Sequence, residues 1–363
     1  MTRRTILVLS GGSALGAYQA GACAALFEHG LEPERIVGSS IGAVTAALIA
    51  GGPPEGRTER LRRFWDETAG VDGSGLIGTG LSGDRRARPL PLLLFGHPLV
   101  WRPRLPGAWS MLPGMPGDAS LYDLTPLRAR LERLVDFNRL NGGSLRLTVV
   151  ATDLATGEER RFDTAEARIT VEHLLASSGF LPYFPPVEID GRLFCDAGLS
   201  ANLPLAAALE SPAVDDRLCI AVDLFSRVGG PLSTVAQSTD RQLELLFATQ
   251  SRLAVERLRS DHALRRERRA NGREPAEGAT TLLLLTQAPL ASEVGMKAFD
   301  WTRPMVTERW EHGRRDMEHA LDVLDRRGTA TAPGELVVHD IRCPGDSTEA
   351  APLPTSSAQS RFR

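Results

Sequence analysis

The chain reads as an α/β protein with a mainly parallel central sheet, and three features near its start predict this. Thr5–Ser10 is a short apolar run that stops at Gly11-Gly12, as a strand buried on both faces does. Gly16–His29 is alanine-rich and helical, with His29-Gly30 as its stop, and Arg35–Gly38 is a second short strand. Ile41–Ala50 is a small-residue helix closed by Gly51-Gly52-Pro53-Pro54. Strands alternating with helices in this way call for a parallel sheet covered by helices on both faces.

Later elements follow the same logic. Residues 57–69 form an amphipathic helix with Leu61, Phe64 and Trp65 on one side. Residues of about 70–120 are rich in Gly and Pro and read as an irregular insertion carrying Trp101, Trp109, Met111 and Met115. Helices are predicted at Leu124–Leu134 and Val171–Ala176, and buried strands at Leu145–Ala151 and Leu218–Leu224. Val187–Ile189 and Leu193–Cys195 read as a hairpin turning on Asp190-Gly191. A long helix spans about 236–269, with Leu243, Leu246, Phe247, Ala254 and Leu258 on one stripe. Thr280–Thr286 is a strand and Pro304–Arg326 a helix. The expected organisation is a main domain over 1–229, an α/β extension packed on it over 230–343, and a Ser-, Pro- and Ala-rich tail, 344–363, with too little apolar content to order.

Composition narrows the function. Hydrophobic residues make up 42% of the 363 and charged residues 24%, as in an ordinary globular protein. A net charge of −3 gives no overall pull toward nucleic acid. Lys297 is the single lysine among 42 basic residues. The four cysteines form no C-x-x-C pair, so neither a metal site nor a disulfide framework is expected. The N-terminal apolar run is too short for a signal segment, and no stretch approaches the ~20 apolar residues of a spanning helix. The expected location is the cytoplasm, with contact at a membrane surface left open.

Gly38-Ser39-Ser40-Ile41-Gly42 has the form G-x-S-x-G between a predicted strand and a predicted helix. Such a turn lifts the central serine out of the sheet, and the flanking glycines avoid a Cβ striking neighbouring backbone. The Ile41 amide opens the helix, where free N–H groups and the positive dipole end meet a developing oxyanion. The plain alternative is a turn in which Ser40 only caps the helix. Gly11-Gly12-Ser13-Ala14-Leu15-Gly16 also joins strand to helix and presents successive N–H groups to an anion. It lacks the Lys of a phosphate loop and the G-x-G-x-x-G spacing, and it is otherwise a tight packing turn. Cys195-Asp196-Ala197-Gly198 places Asp196 at a strand end, where an acid could take the proton from Ser40 or merely cap a loop; Asp190, by contrast, is turn chemistry.

Taken in order, these segments resemble the patatin-like phospholipase family. Ser10 to Gly21 is similar to its glycine-rich oxyanion segment, and Gly38 to Ala43 to its nucleophile elbow. Ala176 to Pro182 with Phe184-Pro185-Pro186-Val187 resembles the stretch before its acid, and Asp196-Ala197-Gly198 stands where the family has Asp-Gly-Gly. The likeness covers about residues 5–226 and continues more weakly beyond, as in a bacterial subgroup with an appended domain. It implies a three-layer α/β/α fold and a Ser40–Asp196 dyad with no metal or other cofactor. It also implies backbone oxyanion donors at Gly11, Gly12, Ser13 and Ile41, elbow glycines at Gly38 and Gly42, and an acyl-ester or phospholipid substrate. The departures are Ser13 for a glycine, Leu15 for a basic residue and Ala197 for a glycine. Ser13 constrains the loop if that position needs positive φ, and Ala197 could tilt Asp196.

Of the seven histidines, His173 alone lies near these segments, and a solvated helix-surface role is expected for it. Arg85, Arg86, Arg88, Arg102 and Arg104 accompany Trp101, Trp109 and Met111 in the insertion. That mixture suits a lid or interfacial patch, or equally a loop packed on its own domain. The Arg-rich run 252–273 is broken by Glu256, Asp261 and Glu267 and reads as a solvated helix face. Two other functions compete with ester hydrolysis. One is a catalytically weak lipid-binding or scaffold protein, favoured by Ser13 and Ala197; the other is a nucleotide-binding α/β protein, opposed by the missing Lys.

Overall fold

The computed structural model describes residues 3–71, 90–272, 277–293 and 295–341. In chain order its first half runs β1 (Arg4–Leu9), α1 (Gly16–Glu28), β2 (Arg35–Ser39), α2 (Ile41–Ala50), α3 (Arg57–Ala69), α4 (Leu90–Phe95), β3 (Arg102–Pro103), β4 (Tyr122–Asp123), α5 (Thr125–Leu134) and α6 (Phe137–Gly142). It continues with β5 (Arg146–Asp153), β6 (Glu159–Asp163), α7 (Val171–Ser177), β7 (Val187–Ile189), β8 (Arg192–Asp196), α8 (Gly198–Ala201) and α9 (Leu205–Leu209). The remainder is β9 (Arg217–Asp223), α10 (Val235–Ala270), β10 (Thr280–Thr286), α11 (Arg303–Arg327) and β11 (Leu336–Ile341).

Nine strands form one sheet in the order β11-β10-β9-β1-β2-β5-β8-β7, with β6 added on β5. From β11 to β5 every pairing is parallel; β6 and β8 pair antiparallel with β5, and β7 antiparallel with β8. Central β1 shows why both faces are covered. Leu7 and Leu9 enter the larger core with α1, α2, α3 and α11, while Ile6 and Val8 enter a second core with α9 and part of α10. The result is three layers, helix over sheet over helix.

The two ends of the chain are joined through α1 and α11. A Cβ on Gly21 would lie 2.0 Å from the Trp310 carbonyl oxygen, and one on Gly313 would lie 2.0 Å from that of Tyr18. Only glycine lets the backbones approach so closely. The Tyr18 hydroxyl also donates to Asp316 Oδ2 at 2.7 Å. Residues beyond 230 therefore extend the same sheet and the same core as those before it.

Several expectations change. The hairpin turn is as expected, with Asp190 at φ 50° and Gly191 at φ 75°. Leu246, placed on the buried stripe of α10, is exposed; Glu244, Phe247, Ser251, Val255 and Leu258 face inward instead. His173 is buried rather than solvated: its Nδ1 accepts the Thr170 amide at 3.0 Å in a capping box, and its ring meets Phe162 edge-on. Arg265 and Arg269 turn inward onto buried Glu277, so only part of that run is a solvated face. Where described, the 70–120 stretch contains α4 and β3, and β3 pairs with β4 just beyond it. Arg85, Arg86 and Arg88 lie outside the described residues, as do Arg273 and the 344–363 tail.

Candidate active site

β1 and β2 deliver their C-terminal ends side by side, with Leu9 opposite Gly38. The turn into α2 then has almost no room. A Cβ on Gly42 would lie 2.3 Å from the Leu9 carbonyl oxygen, and one on Gly38 would lie 2.6 Å from the backbone of Gly42 and Ala43. These contacts force Ser40 to φ 53°, ψ −122°, a conformation that non-glycine residues rarely adopt and that costs of order 1–3 kcal/mol. Ser177 helps hold it. The Ser40 amide donates to Ser177 Oγ at 2.9 Å, and that hydroxyl donates to the Val150 carbonyl at 2.5 Å. The Ser177 carbonyl meanwhile accepts the Ala197 amide at 3.4 Å, so one residue brackets both Ser40 and the segment bearing Asp196.

β8 pairs antiparallel with β5, setting Asp196 opposite Ala151. Its amide donates to the Gly179 carbonyl at 3.1 Å, and its own carbonyl accepts the Thr152 hydroxyl at 2.9 Å. The carboxylate is almost fully buried. Its Oδ1 accepts the Gly198 amide at 2.7 Å, and it lines the same cavity as Ser40, whose side chain favours its ionised form. Among the described residues it has no ion pair, and burial pushes its pKa up to about 6 although the Ser40 side chain and the Gly198 amide favour the ionised form. Ala197 sits at φ −63°, ψ −22°, a helical conformation open to any residue, so its replacing glycine leaves Asp196 unstrained. Gly198 is the position under constraint: a Cβ there would lie 2.9 Å from Asp196 Oδ1.

The first loop closes the arrangement. A Cβ on Gly11 would come within 2.6 Å of Asn202 Oδ1 and 3.0 Å of Ser40 Cβ. Gly11 is therefore where the loop passes against the serine. Its amide is not free for an oxyanion, because it donates to the Asn202 carbonyl at 3.1 Å; this corrects its expected role as a donor. The amides of Gly12, Ser13 and Ile41 meet no acceptor among the described residues, and all three residues line the cavity in front of Ser40. Ser13 adopts φ 52°, the positive value that its departure from glycine made a concern. Leu15 is buried, and the fully buried Arg309 of α11 donates to the neighbouring Ala14 carbonyl at 3.4 Å.

Ser40, Asp196 and Asn202 sit at one end of an apolar cavity of about 860 Å³, its open mouth included. Phe64, Trp101, Phe184, Phe247, Phe299 and Trp301 are among its aromatic walls. Trp101, for which the sequence leaves a lid or surface patch and a loop packed on its own domain equally open, is buried there against Trp301. Trp109 and Met111 are exposed as that patch requires, whereas Arg102 and Arg104 are engaged with Asp123 and Asp118. No histidine lines the cavity among the described residues. Sequence reasoning missed the bracketing part of Ser177, the place of Asn202 between loop and acid, and the walls supplied by residues beyond 229. Of these, Asn202 stands only six positions beyond Asp196 in the sequence.

Comparison with known proteins adds an independent line. The family model for patatin-like phospholipase matches residues 7–209. The Bacillus subtilis protein YqhO is 30% identical over 211 residues, covering 54% of this chain and 64% of its own length. Triacylglycerol lipase 5 of Saccharomyces cerevisiae is 56% identical over 46 residues, 13% of this chain and 6% of the lipase. The chain thus spans less than two thirds of either relative. The crystal structure of VipD from Legionella pneumophila is similar at 14% identity and a TM-score of 0.43, over 88% of this chain and 67% of that one. No described helix is long and apolar enough to cross a membrane.

Proposed function

Because the chain belongs to the patatin-like phospholipase family, we propose that it is a lipid acyl hydrolase working through a Ser40–Asp196 dyad. The observation that carries this reading is a buried carboxylate, without an ion pair among the described residues, that shares the cavity with Ser40 on its strained elbow. A base with a pKa of about 6 is ionised at neutral pH and still basic enough to accept a hydroxyl proton in a transition state. Ser40 Oγ attacks the ester carbonyl as its proton passes to Asp196. The Gly12, Ser13 and Ile41 amides stabilise the oxyanion, aided by the positive end of α2. Collapse breaks the ester C–O bond, and the departing alkoxide takes the proton from Asp196. A water then gives its proton to Asp196 and attacks the acyl-serine; the carboxylic acid leaves and Ser40 regains its proton.

In this reading residues 1–229 carry the reacting groups, and the 230–343 extension supplies part of the acyl wall through Phe247, Phe299 and Trp301. Leu105, Trp109, Met111, Leu112 and Met115 form an exposed apolar segment suited to resting at a lipid surface. Its anchor is β3–β4 and the Leu121 and Tyr122 amides, which donate to Pro182 and Tyr183 beside the cavity. Labelling with an alkyl fluorophosphonate, followed by mass spectrometry, tests the nucleophile. The expected adduct is on the Ser40 peptide and is absent from Ser40→Ala; an adduct elsewhere, or none, contradicts it.

One observation favours a second reading, a catalytically weak lipid-binding protein. Ser13 at φ 52° places of order 1–2 kcal/mol of strain in the oxyanion loop. Hydrolysis of p-nitrophenyl butyrate by the wild type but not by Ser40→Ala would eliminate that reading.

A further inference from the structure

We infer that this site is selective for uncharged acyl esters, such as mono- and diacylglycerols, over glycerophospholipids; the inference rests on the Ser40–Asp196 reading. The cavity lining explains why. Among the described residues it contains no Arg, Lys or His, and Asp196 is its one carboxylate. Everything else facing Ser40 is aliphatic, aromatic, or a neutral polar group such as Asn202, Ser178 and Tyr183.

Cations do stand just behind the wall, but each is committed. Lys297 precedes the lining residues Ala298 and Phe299, yet its ammonium is buried on Glu244 and Glu293. Arg309 is fully buried, with Glu293 at 3.0 Å and the Asp300 carbonyl at 2.9 Å. Arg241 pairs with Glu244 at 2.8 Å. The three cations share the Glu244 and Glu293 carboxylates, and none of them is among the residues that line the cavity.

In a glycerophospholipid the phosphorus lies only a few bonds, on the order of 6 Å, from the ester carbonyl, so Ser40 cannot reach the carbonyl without drawing the phosphate close to ionised Asp196. Phosphate sites normally supply Arg or Lys forks or a free helix N-terminus. Here the α2 N-terminus and the loop amides are already assigned to the oxyanion. A neutral glycerol hydroxyl meets no such repulsion, and Asn202, Ser178 and Tyr183 offer it hydrogen-bonding partners. The aromatic walls accept the acyl chain in either case, so discrimination falls on the alcohol side of the ester.

The test uses the full chain and oleoyl substrates at equal mole fraction in neutral-detergent micelles: 1-oleoylglycerol, dioleoylglycerol, dioleoylphosphatidylcholine and dioleoylphosphatidylglycerol. Released oleate is measured for wild type and Ser40→Ala, with p-nitrophenyl butyrate as a soluble control. The expected result is a kcat/KM for both glycerides at least about tenfold above either phospholipid, all of it lost in Ser40→Ala. Equal or faster Ser40-dependent cleavage of either phospholipid overturns the selectivity and leaves the dyad standing. Hydrolysis of the p-nitrophenyl ester with every lipid left intact also overturns it. No hydrolysis of anything, with Ser40 unlabelled by fluorophosphonate, overturns the dyad as well. Leu243→Arg, at a half-buried lining position, should narrow the gap between phosphatidylglycerol and dioleoylglycerol by about tenfold; an unchanged ratio would show that charge is not its cause.

Discussion

Asp163 and Asp196 each end a strand antiparallel to β5, and each is 3% exposed, yet their surroundings are opposite. Asp163 meets Arg146 Nε at 2.7 Å and Arg35 Nη2 at 3.2 Å, and accepts the Thr148 hydroxyl at 2.6 Å. Burial pushes its pKa up, but Arg146 and Thr148 outweigh this and hold it below the usual carboxylate range. Asp196 has the Gly198 amide at 2.7 Å and, among the described residues, no ion pair, and burial carries it up to about 6. The fold thus satisfies one buried carboxylate and leaves the other under-compensated. The difference separates a carboxylate that ties strands together from one that is poised to accept a proton.

The largest effects should divide the two cleanly. Asp196→Asn should lower kcat/KM on p-nitrophenyl butyrate by about 10³–10⁴-fold, as loss of a base in a coupled site does. Asp163→Asn should stay within about threefold of wild type, and a comparable loss there would erase the contrast.

Stability should move the other way, with opposite pH dependence. Asp163 has its pKa lowered on folding, so its contribution is present above the unfolded value near 4 and is lost as pH falls through the folded one. Its replacement by Asn, which strands Arg35 and Arg146, should cost about 2–3 kcal/mol at pH 7 in urea titrations. Asp196 is raised on folding, so its neutral form favours the native state and that advantage is lost as pH rises from about 4 to 6. Asp196→Asn should therefore stabilise the protein by about 1–3 kcal/mol at pH 8 and hardly at all at pH 4. Destabilisation at both pH values would contradict the idea of an uncompensated charge.

A smaller effect is expected where positioning alone is lost. Ser177→Ala removes the acceptor for the Ser40 amide and should lower kcat about tenfold at nearly unchanged KM. An equal rise in KM would show a binding role instead. Trp109→Ser combined with Met111→Ser should reduce turnover of micellar over soluble esters about two- to fivefold, read as a rate ratio. Equal loss on both would remove the interfacial role of that segment.

The reacting half of the site was legible because backbone crowding dictates residue type locally. Gly38 is a glycine for a contact within its own strand–turn–helix, Gly42 for one with the end of the adjacent β1, and Gly11 for the Ser40 and Asn202 side chains; Asp196 stands at a strand end. The binding half was not legible, because its walls come from Phe64, Trp101, Phe247 and Trp301, which meet only in the folded chain. The sequence leaves Trp101 open between a surface patch and a loop packed on its own domain, and only packing on Trp301 decides for the second. The run Glu159-Arg160-Arg161 hid β6, whose charged residues pair with neighbours instead of showing an apolar period. Ser177 gave no sign of its bracket, since both partners are backbone groups far along the chain.

The rate of Ser40 labelling by an alkyl fluorophosphonate as a function of pH tests the dyad most directly, since it reports the unassisted base in the free enzyme. It should climb about tenfold per pH unit below an apparent pKa of about 6 and level off above it. A rate that is flat from pH 5 to 8, or a midpoint at or above 7 that moves when a histidine is replaced, would contradict Asp196 as the base.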